Sequence, residues 1–408
     1  MESDLETLFS NLSVNITKQL TKIEKKEDGI FFTPQSTILR SLEILKPHIT
    51  DKYKVLEPSC GSCEFIKALN EHNSRLKITG IEYNEKIYDN IKKLKITNVK
   101  LIHADFLKYT SSKKYNLIIG NPPYYVMKKK DVPKEYHDYF EGRPNIFILF
   151  IVKSLKMLFI NGFLSFVLPK NFTNCIYYDK LRKYINENYK IIEIIDSSDD
   201  KYLETQQDTI LFIIRKQKPD NNDSFIINIH NYTIMNTKSN ILKLKRLYTN
   251  STSLDKLNFK VSVGNVVWNQ CKDILTDDNT KTRLIYSSDI ENNNLIKKNY
   301  PNPKKKNFIE KEGINEILLI INRGYGVGKY SFNYCVLNVT FNYLLENHII
   351  YIKSKNPTEK KVLLDLYDKI TKSLEDKRTM EFIDIYFGNN AINTTELNYI
   401  LPIYSENP

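Results

Sequence analysis

The chain has 408 residues and is 41% hydrophobic, too long for one ordinary core and long enough for two. Its 60 Lys and Arg against 48 Asp and Glu leave a net charge of +12, which favours an acidic partner such as nucleic acid but is also what solvated lysines produce. No run approaches the roughly 18 apolar residues of a membrane span, and Met1 to Asp4 lack the start of a signal peptide, so an intracellular protein with no membrane partner is expected, cytoplasmic or nuclear.

Residues 1–27 are expected to form a helical N-terminal extension. From there to about residue 216, short apolar runs alternate with segments of helical period. Strands are predicted over 53–56, 76–81, 99–103, 115–119, 162–168, 190–195 and 209–214, with helices near 65–69, 86–94, 145–158 and 178–187. Strands alternating with helices build βαβ units. The prediction is therefore an α/β fold, a doubly wound, mostly parallel, seven-stranded Rossmann-like sheet within 28–230. Beyond 230 the texture changes, with Asn-rich and basic segments between short irregular apolar stretches. Residues 231–330 carry 17 basic against 9 acidic residues, and 331–408 carry 8 against 10. That reads as a second, basic α+β domain over 231–408 whose first part grips phosphates. The run Lys304, Lys305 and Lys306 taken alone fits a solvated linker as well.

The strongest local signal is Asn121-Pro122-Pro123-Tyr124, directly after the apolar strand that ends at Gly120. Each proline fixes φ and removes a donor, and the residue before each is pushed to extended backbone. A stiff strand exit results, presenting two acceptors, the Asn121 side-chain oxygen and the Pro122 carbonyl. Converging acceptors suit the two hydrogens of a planar amino group and favour a pyramidal nitrogen with an available lone pair. Tyr124 is expected at the rim, offering its face to a planar substrate. A proline-rich turn with a buried aromatic is the bland alternative, weakened because ligands of open α/β sheets bind at the carboxyl ends of strands.

The second signal is Glu57-Pro58-Ser59-Cys60-Gly61-Ser62-Cys63, at the end of the first strand. An acidic strand end followed by a tight turn of small residues suits an adenosine-containing cofactor, and Gly61 lets backbone approach it. A single glycine disfavours the dinucleotide fingerprint. Glu82 ends the second strand, where a carboxylate can accept both ribose hydroxyls. Asp105-Phe106 follows the third, where Asp105 can take an adenine amino group while Phe106 packs on the ring. A lone carboxylate at such a place is more often a cap, but three successive strand ends bearing one weaken that explanation. The cysteines, five and irregularly spaced, form no disulfide framework, and Cys60 and Cys63 have no second pair to complete a metal site, so no metal is expected.

Together, Asn121-Pro122-Pro123-Tyr124 and Glu57-Pro58-Ser59-Cys60-Gly61 resemble the S-adenosylmethionine-dependent N6-adenine DNA methyltransferases. The motif order is similar to the gamma class of type II restriction–modification systems, catalytic domain first and target-recognition domain last. The resemblance spans about 28–216. It includes Gly29 to Pro34, similar to the family's cofactor-closing segment, and Gly162 to Pro169, similar to its fifth strand. It implies that Thr33, Glu57, Ser59, Cys60 and Gly61 line the methionine end of S-adenosylmethionine, that Glu82 holds the ribose, and that Asp105 and Phe106 hold the adenine. Asn121, Pro122, Pro123 and Tyr124 would receive the target base, with Tyr202 as the nearest candidate for a second stacking aromatic. The family usually has a second glycine where this chain has Cys63. If that position needs positive φ, Cys63 pays roughly 1–2 kcal/mol.

The implied activity is adenine-N6 methylation of duplex DNA with base flipping, by direct in-line transfer with no covalent intermediate. Double-stranded DNA is the expected partner of a monomer. A cognate restriction endonuclease of the same specificity is a candidate partner, although no nuclease carboxylate cluster is evident and a solitary methyltransferase fits better. Competing readings are an RNA adenine or guanine amino methyltransferase, a protein-glutamine N5-methyltransferase, and an inactive DNA-recognition subunit. Arg323 to Tyr330 superficially resembles a phosphate loop, but its spacing fails. Arg323 and Lys329 are instead candidate DNA contacts beside Lys304, Lys305 and Lys306. His348 reads most simply as a satisfied structural histidine and Trp268 as core.

Overall fold

The computed structural model describes residues 8–200, 202–203, 207–323, 330–387 and 392–404. The chain divides into two compact units, Met1–Ile241 and Leu242–Pro408. The first unit opens with helices α1 (Asn11–Gln19) and α2 (Lys22–Asp28), each begun by a hydroxyl cap, Ser10 and Thr21. Gly29 ends α2 in the left-handed conformation, φ 63°. Helix α3 (Gln35–Leu45) leads into strand β1 (Lys54–Glu57). There follow α4 (Glu64–His72), β2 (Lys77–Glu82), α5 (Glu85–Ile91), β3 (Val99–His103), β4 (Tyr115–Gly120), α6 (Ile146–Met157), β5 (Leu158–Pro169), α7 (Asp179–Asn188), β6 (Lys190–Asp196) and β7 (Thr209–Arg215).

The seven strands form one sheet in the order β3-β2-β1-β4-β5-β7-β6. Strands β1 to β5 are mutually parallel, and β7 runs antiparallel to both its neighbours because it returns directly from β6. Strand order reverses between β1 and β4, whose Leu56 and Ile118 are paired, and such a switch point opens a crevice beyond the strand ends. Alternation sorts the apolar residues to two faces. Val55, Leu117 and Ile119 pack with Ile38, Leu42, Phe65 and Leu69 of α3 and α4. Leu56, Ile118 and Leu164 pack with Phe147, Ile151 and Leu155 of α6. Helix α6 is apolar nearly all round because it lies wholly within that layer. The helix predicted over 86–94 stops at Ile91, where Lys92 caps it and a tight turn turns the chain toward β3.

The second unit is α+β. One antiparallel sheet orders Phe259–Val263, Ile349–Ser354, Leu318–Asn322 and Tyr334–Leu337. A second, mixed sheet orders Leu275–Thr276, Phe308–Ile309, Thr282–Ile285 and Tyr343–Leu345. Helices Lys360–Glu375 and Lys377–Tyr386 follow. Trp268 is half-buried against the small core of Leu284 and Ile309, with Lys272 Nζ 5.9 Å from its ring, rather than fully enclosed.

Candidate active site

A cavity of about 380 Å³ opens at the carboxyl ends of the first four strands. Its wall brings together Ser59 and Gly61 from the turn after β1, Glu82 from β2, Asp105 and Phe106 from the turn after β3, and Asn121 and Pro123 after β4. These residues are far apart in sequence. Parallel strands with helical crossovers deliver every carboxyl end to the same edge, which is why they meet.

The turn after β1 is held by backbone geometry. Gly61 adopts φ 50°, and its N–H donates to Glu82 Oε2 at 2.8 Å, while Asn84 N–H donates to Oε1 at 2.8 Å. Cys63 sits at the head of α4 with φ 65° and ψ 29°, the left-handed conformation that the missing glycine would take without strain. A non-glycine residue there costs about 1–2 kcal/mol. Both thiols face inward. Cys63 is fully buried, and Cys60 lies under β2, close against Gly80. Cys60 therefore takes part in the loop through its backbone, its N–H donating to Ile81 O at 2.9 Å, and its side chain does not reach the cavity. Ser59 Oγ donates to Asn121 O at 3.0 Å, tying the ends of β1 and β4 across the switch point.

Glu57 is buried against Gly120, and its Oε2 has no hydrogen-bond partner. Burial, reinforced by Cys63, Glu64 and Glu82 nearby, pushes its carboxyl well above the ordinary range. An orphaned buried acid beside the cavity loop is what a cationic ligand group would satisfy. Burial also raises Glu82, opposed by the N–H groups it accepts. The two acids, the Phe106 ring and the close backbone at Gly61 fit a group carrying an ammonium, a ribose and an adenine, as S-adenosylmethionine does.

Asp105 is part cap and part wall: Oδ1 accepts Leu107 N–H at 2.8 Å, and Oδ2 is 3.7 Å from Lys108 Nζ. Phe106 is 1% exposed and leans on Phe150, with ring centroids 5.0 Å apart. Behind it stands Lys153 of α6, which sequence reasoning missed. Its Nζ donates to Leu107 O (2.9 Å) and Tyr109 O (2.7 Å) and lies 5.1 Å from the Phe106 ring centre. Burial lowers its pKa. The available signal was a lysine interrupting the apolar run of α6. The cavity wall supplied by α6 (Ile146, Leu149 and Phe150) and by the segment after Tyr124 (Asp131, Glu135 and Tyr136) was also missed, because none of it carries a motif.

Asn121 is fixed at both ends of its amide. Nδ2 donates to Phe31 O at 3.0 Å, and Oδ1 accepts from Tyr124 OH at 2.6 Å, leaving one lone pair of that oxygen open. The Tyr124 hydroxyl also lies 2.7 Å from Val167 O of β5. Gly29 lies directly over Tyr124, where an added Cβ would stand 2.5 Å from its nitrogen, so the segment from Gly29 to Thr33 crosses the strand exit.

Several expected positions differ. Tyr124 does not offer an open face at the rim. Its ring meets Phe147 edge-on at 6.1 Å, and its hydroxyl, pushed well above its usual pKa by burial, is used internally because an enclosed phenol needs a partner. Pro122 and Thr33 are buried outside the cavity wall. Tyr202 is 9% exposed, its hydroxyl 3.1 Å from Thr209 Oγ1, and it lines a separate small cleft with Phe31 and Phe32.

In the second unit only Lys304 of the lysine run is exposed, Lys305 and Lys306 being half-buried. Lys305 Nζ lies 4.1 Å from the ring centres of both Tyr286 and Tyr300, and Lys306 pairs with Asp277. Local aromatic and acidic neighbours thus hold two cations expected to meet phosphates. Arg323 is exposed at the end of its strand, and Lys329 lies outside the described residues. His348 pairs with Glu346. No group of three or more His, Cys, Asp or Glu among the described residues is placed to hold a metal ion.

Residues 9–203 match the family described as Eco57I restriction-modification methylase. The type II methyltransferase M.CvrRI of Paramecium bursaria Chlorella virus XZ-6E is 27% identical over 397 residues, 95% of this chain and 97% of that protein. The modification methylase CviBIII of Paramecium bursaria Chlorella virus NC1A is 32% identical over 196 residues, 47% of this chain and 51% of that one. Among solved structures, the cryo-EM structure of the DrdV–DNA complex aligns with 97% of this chain and 57% of that one, with a TM-score of 0.54 at 12% identity, a likeness of fold.

Proposed function

We propose that this chain, whose residues 9–203 match the family described as Eco57I restriction-modification methylase, is a restriction–modification methyltransferase that moves the methyl group of S-adenosylmethionine to N6 of an adenine flipped out of duplex DNA, at a specific site. The carrying observation is the acceptor after β4, Asn121 Oδ1, which keeps a lone pair open; the reading takes the Pro122 carbonyl as its companion. Asn121 stands beside a cavity whose neighbouring strand ends carry Glu57, Glu82 and Asp105. In this reading the acceptors take the two N6 hydrogens and the nitrogen lone pair attacks the methyl carbon. Bound S-adenosylmethionine would supply the methyl group and leave as its neutral thioether, and the methylated N6 would release a proton to water. Residues 28–230 serve catalysis and 231–408 target recognition, with Lys304 and Arg323 as remaining phosphate contacts.

The test is transfer of labelled methyl groups to duplex DNA, followed by nucleoside analysis. N6-methyladenine in wild type, with a loss of about 10²–10³ in rate for Asn121→Ala, supports the reading. Label in N4-methylcytosine, RNA or glutamine overturns it, as does no label at all.

A further inference from the structure

The segment between Tyr124 and α6 carries five cations, Lys128, Lys129, Lys130, Lys134 and Arg143, all exposed. Among the described residues none of these five side chains has an ion-pair or hydrogen-bond partner. This distinguishes them from the lysines of the second unit's basic run, two of which are held internally. The segment is also anchored. Val126 and Asn145 form an antiparallel bridge, Met127 N–H donates to Pro144 O at 2.8 Å, and Ile146 N–H donates to Tyr125 O at 3.0 Å, closing the excursion at its base. Val132, Tyr136 and Phe140 are at most 5% exposed and tie its inner side to the core. Two 3₁₀ turns, Lys129–Asp131 and Lys134–Tyr139, shape the rest.

Its charges are sorted. Asp131 and Glu135 line the cavity, Glu141 is 3.5 Å from Lys180, and of the acids only Asp138 shares the outer side without an ion-pair partner. None of the five cations lines the cavity, whereas Asp131 and Glu135 of the same wall do. The wall begins two residues beyond Tyr125, itself part of the cavity lining.

We propose that this segment is a phosphate-gripping strap of the catalytic unit, holding the backbone of duplex DNA beside the nucleotide to be methylated. It rests on the methyl-transfer reading for its substrate. A row of unpaired cations, preorganised by buried residues and set against the catalytic wall, matches a polyanion in charge. It would anchor the strand while a base is drawn out, so part of the electrostatic grip lies outside the basic second unit.

The experiment compares Lys129→Gln/Lys130→Gln, and the same pair with Lys128→Gln and Lys134→Gln added, with Lys93→Gln/Lys95→Gln. The last pair removes the same two charges from the turn between α5 and β3. Affinity for a fluorescein-labelled duplex is measured between about 50 and 200 mM salt, with S-adenosylmethionine affinity measured by calorimetry as a check on the fold. Each lost phosphate contact should flatten the slope of log affinity against log salt by about 0.9, so the fourfold variant should lose roughly 3.6. The Lys93/Lys95 pair should keep the wild-type slope, and cofactor affinity should stay within about twofold throughout. Equal slopes for strap variants and wild type overturn the strap, as does equal flattening by the Lys93/Lys95 pair. Flattening confined to duplex RNA overturns the assigned partner. Wild-type methyl transfer to DNA, measured on the same preparation, reports on the underlying reading separately.

Discussion

Arg182 has no exposed surface, yet its guanidinium is wholly used. Nε donates to Thr233 O at 2.5 Å, one terminal nitrogen to Phe172 O (3.0 Å) and Cys175 O (2.8 Å), and the other to Asn174 O at 3.4 Å, 3.6 Å from Asp179 Oδ1. Three of the four carbonyls belong to the turn just after β5, the strand whose Val167 carbonyl holds Tyr124. In Arg182→Met these acceptors lose the guanidinium inside the fold, although Cys175 O keeps the Tyr178 N–H at 3.0 Å. Asp179 is spared, keeping Thr233 N–H at 2.7 Å and Lys183 Nζ at 2.8 Å, so the cost falls on the carbonyls. At about 1 kcal/mol per lost bond the four sum to about 4 kcal/mol, which relief of a buried charge and burial of methionine reduce to about 3. For a unit of this size that is a fall of about 6–12 °C in Tm. Arg182→Lys should recover less than half, because one ammonium cannot span four acceptors. Urea unfolding followed by far-UV circular dichroism reports the loss, and fluorescence of Trp268, the single tryptophan and in the second unit, provides an internal reference. A loss under about 1 kcal/mol with unchanged m would refute the reasoning, showing that guanidinium desolvation had cancelled its bonds.

Glu57→Gln tests the orphaned acid. The raised folded pKa means that the native state keeps this proton after the unfolded chain has lost it. Wild-type stability from this group is therefore full below the ordinary carboxylate range and is lost as pH rises toward the folded pKa. The variant should gain on wild type between pH 5 and pH 8 in urea midpoint, and equal differences at both pH values would contradict the assignment. Lys153→Met, which removes the donor to Leu107 O and Tyr109 O, should weaken S-adenosylmethionine binding several-fold in calorimetry while the rate at saturating cofactor stays near wild type. Gly29→Ala places a Cβ 2.5 Å from Tyr124 N at φ 63°. It should lower stability by about 1–3 kcal/mol and reduce transfer, measured by thermal unfolding and labelled methyl incorporation.

The alternation of apolar and polar residues, the strand-end carboxylates and the proline-stiffened exit at Asn121 are local signals, and they sufficed for the seven strands, the α/β class and the residues on the floor of the cavity. Periodicity of 2 and 3.6 is written residue by residue, and so is the backbone restriction of Pro122 and Pro123. The left-handed backbone at Cys63 was legible only as a condition, since whether that turn needs positive φ depends on how α4 starts over β1. Other features depend on what a side chain meets across space. The Tyr124 phenol turns from the rim to the Val167 carbonyl because β5 lies beside β4. Lys305 becomes a packed cation because Tyr286 and Tyr300 flank it, whereas Lys128 to Lys130 stay in solvent, and both runs look alike as letters. Arg182 and Lys153 look like surface charges on their helices until the turns whose carbonyls they cap are folded onto them. Sequence order carries the periodic and dihedral constraints of each segment, but the partner that satisfies a buried polar atom comes from a distant segment, and only packing determines which one.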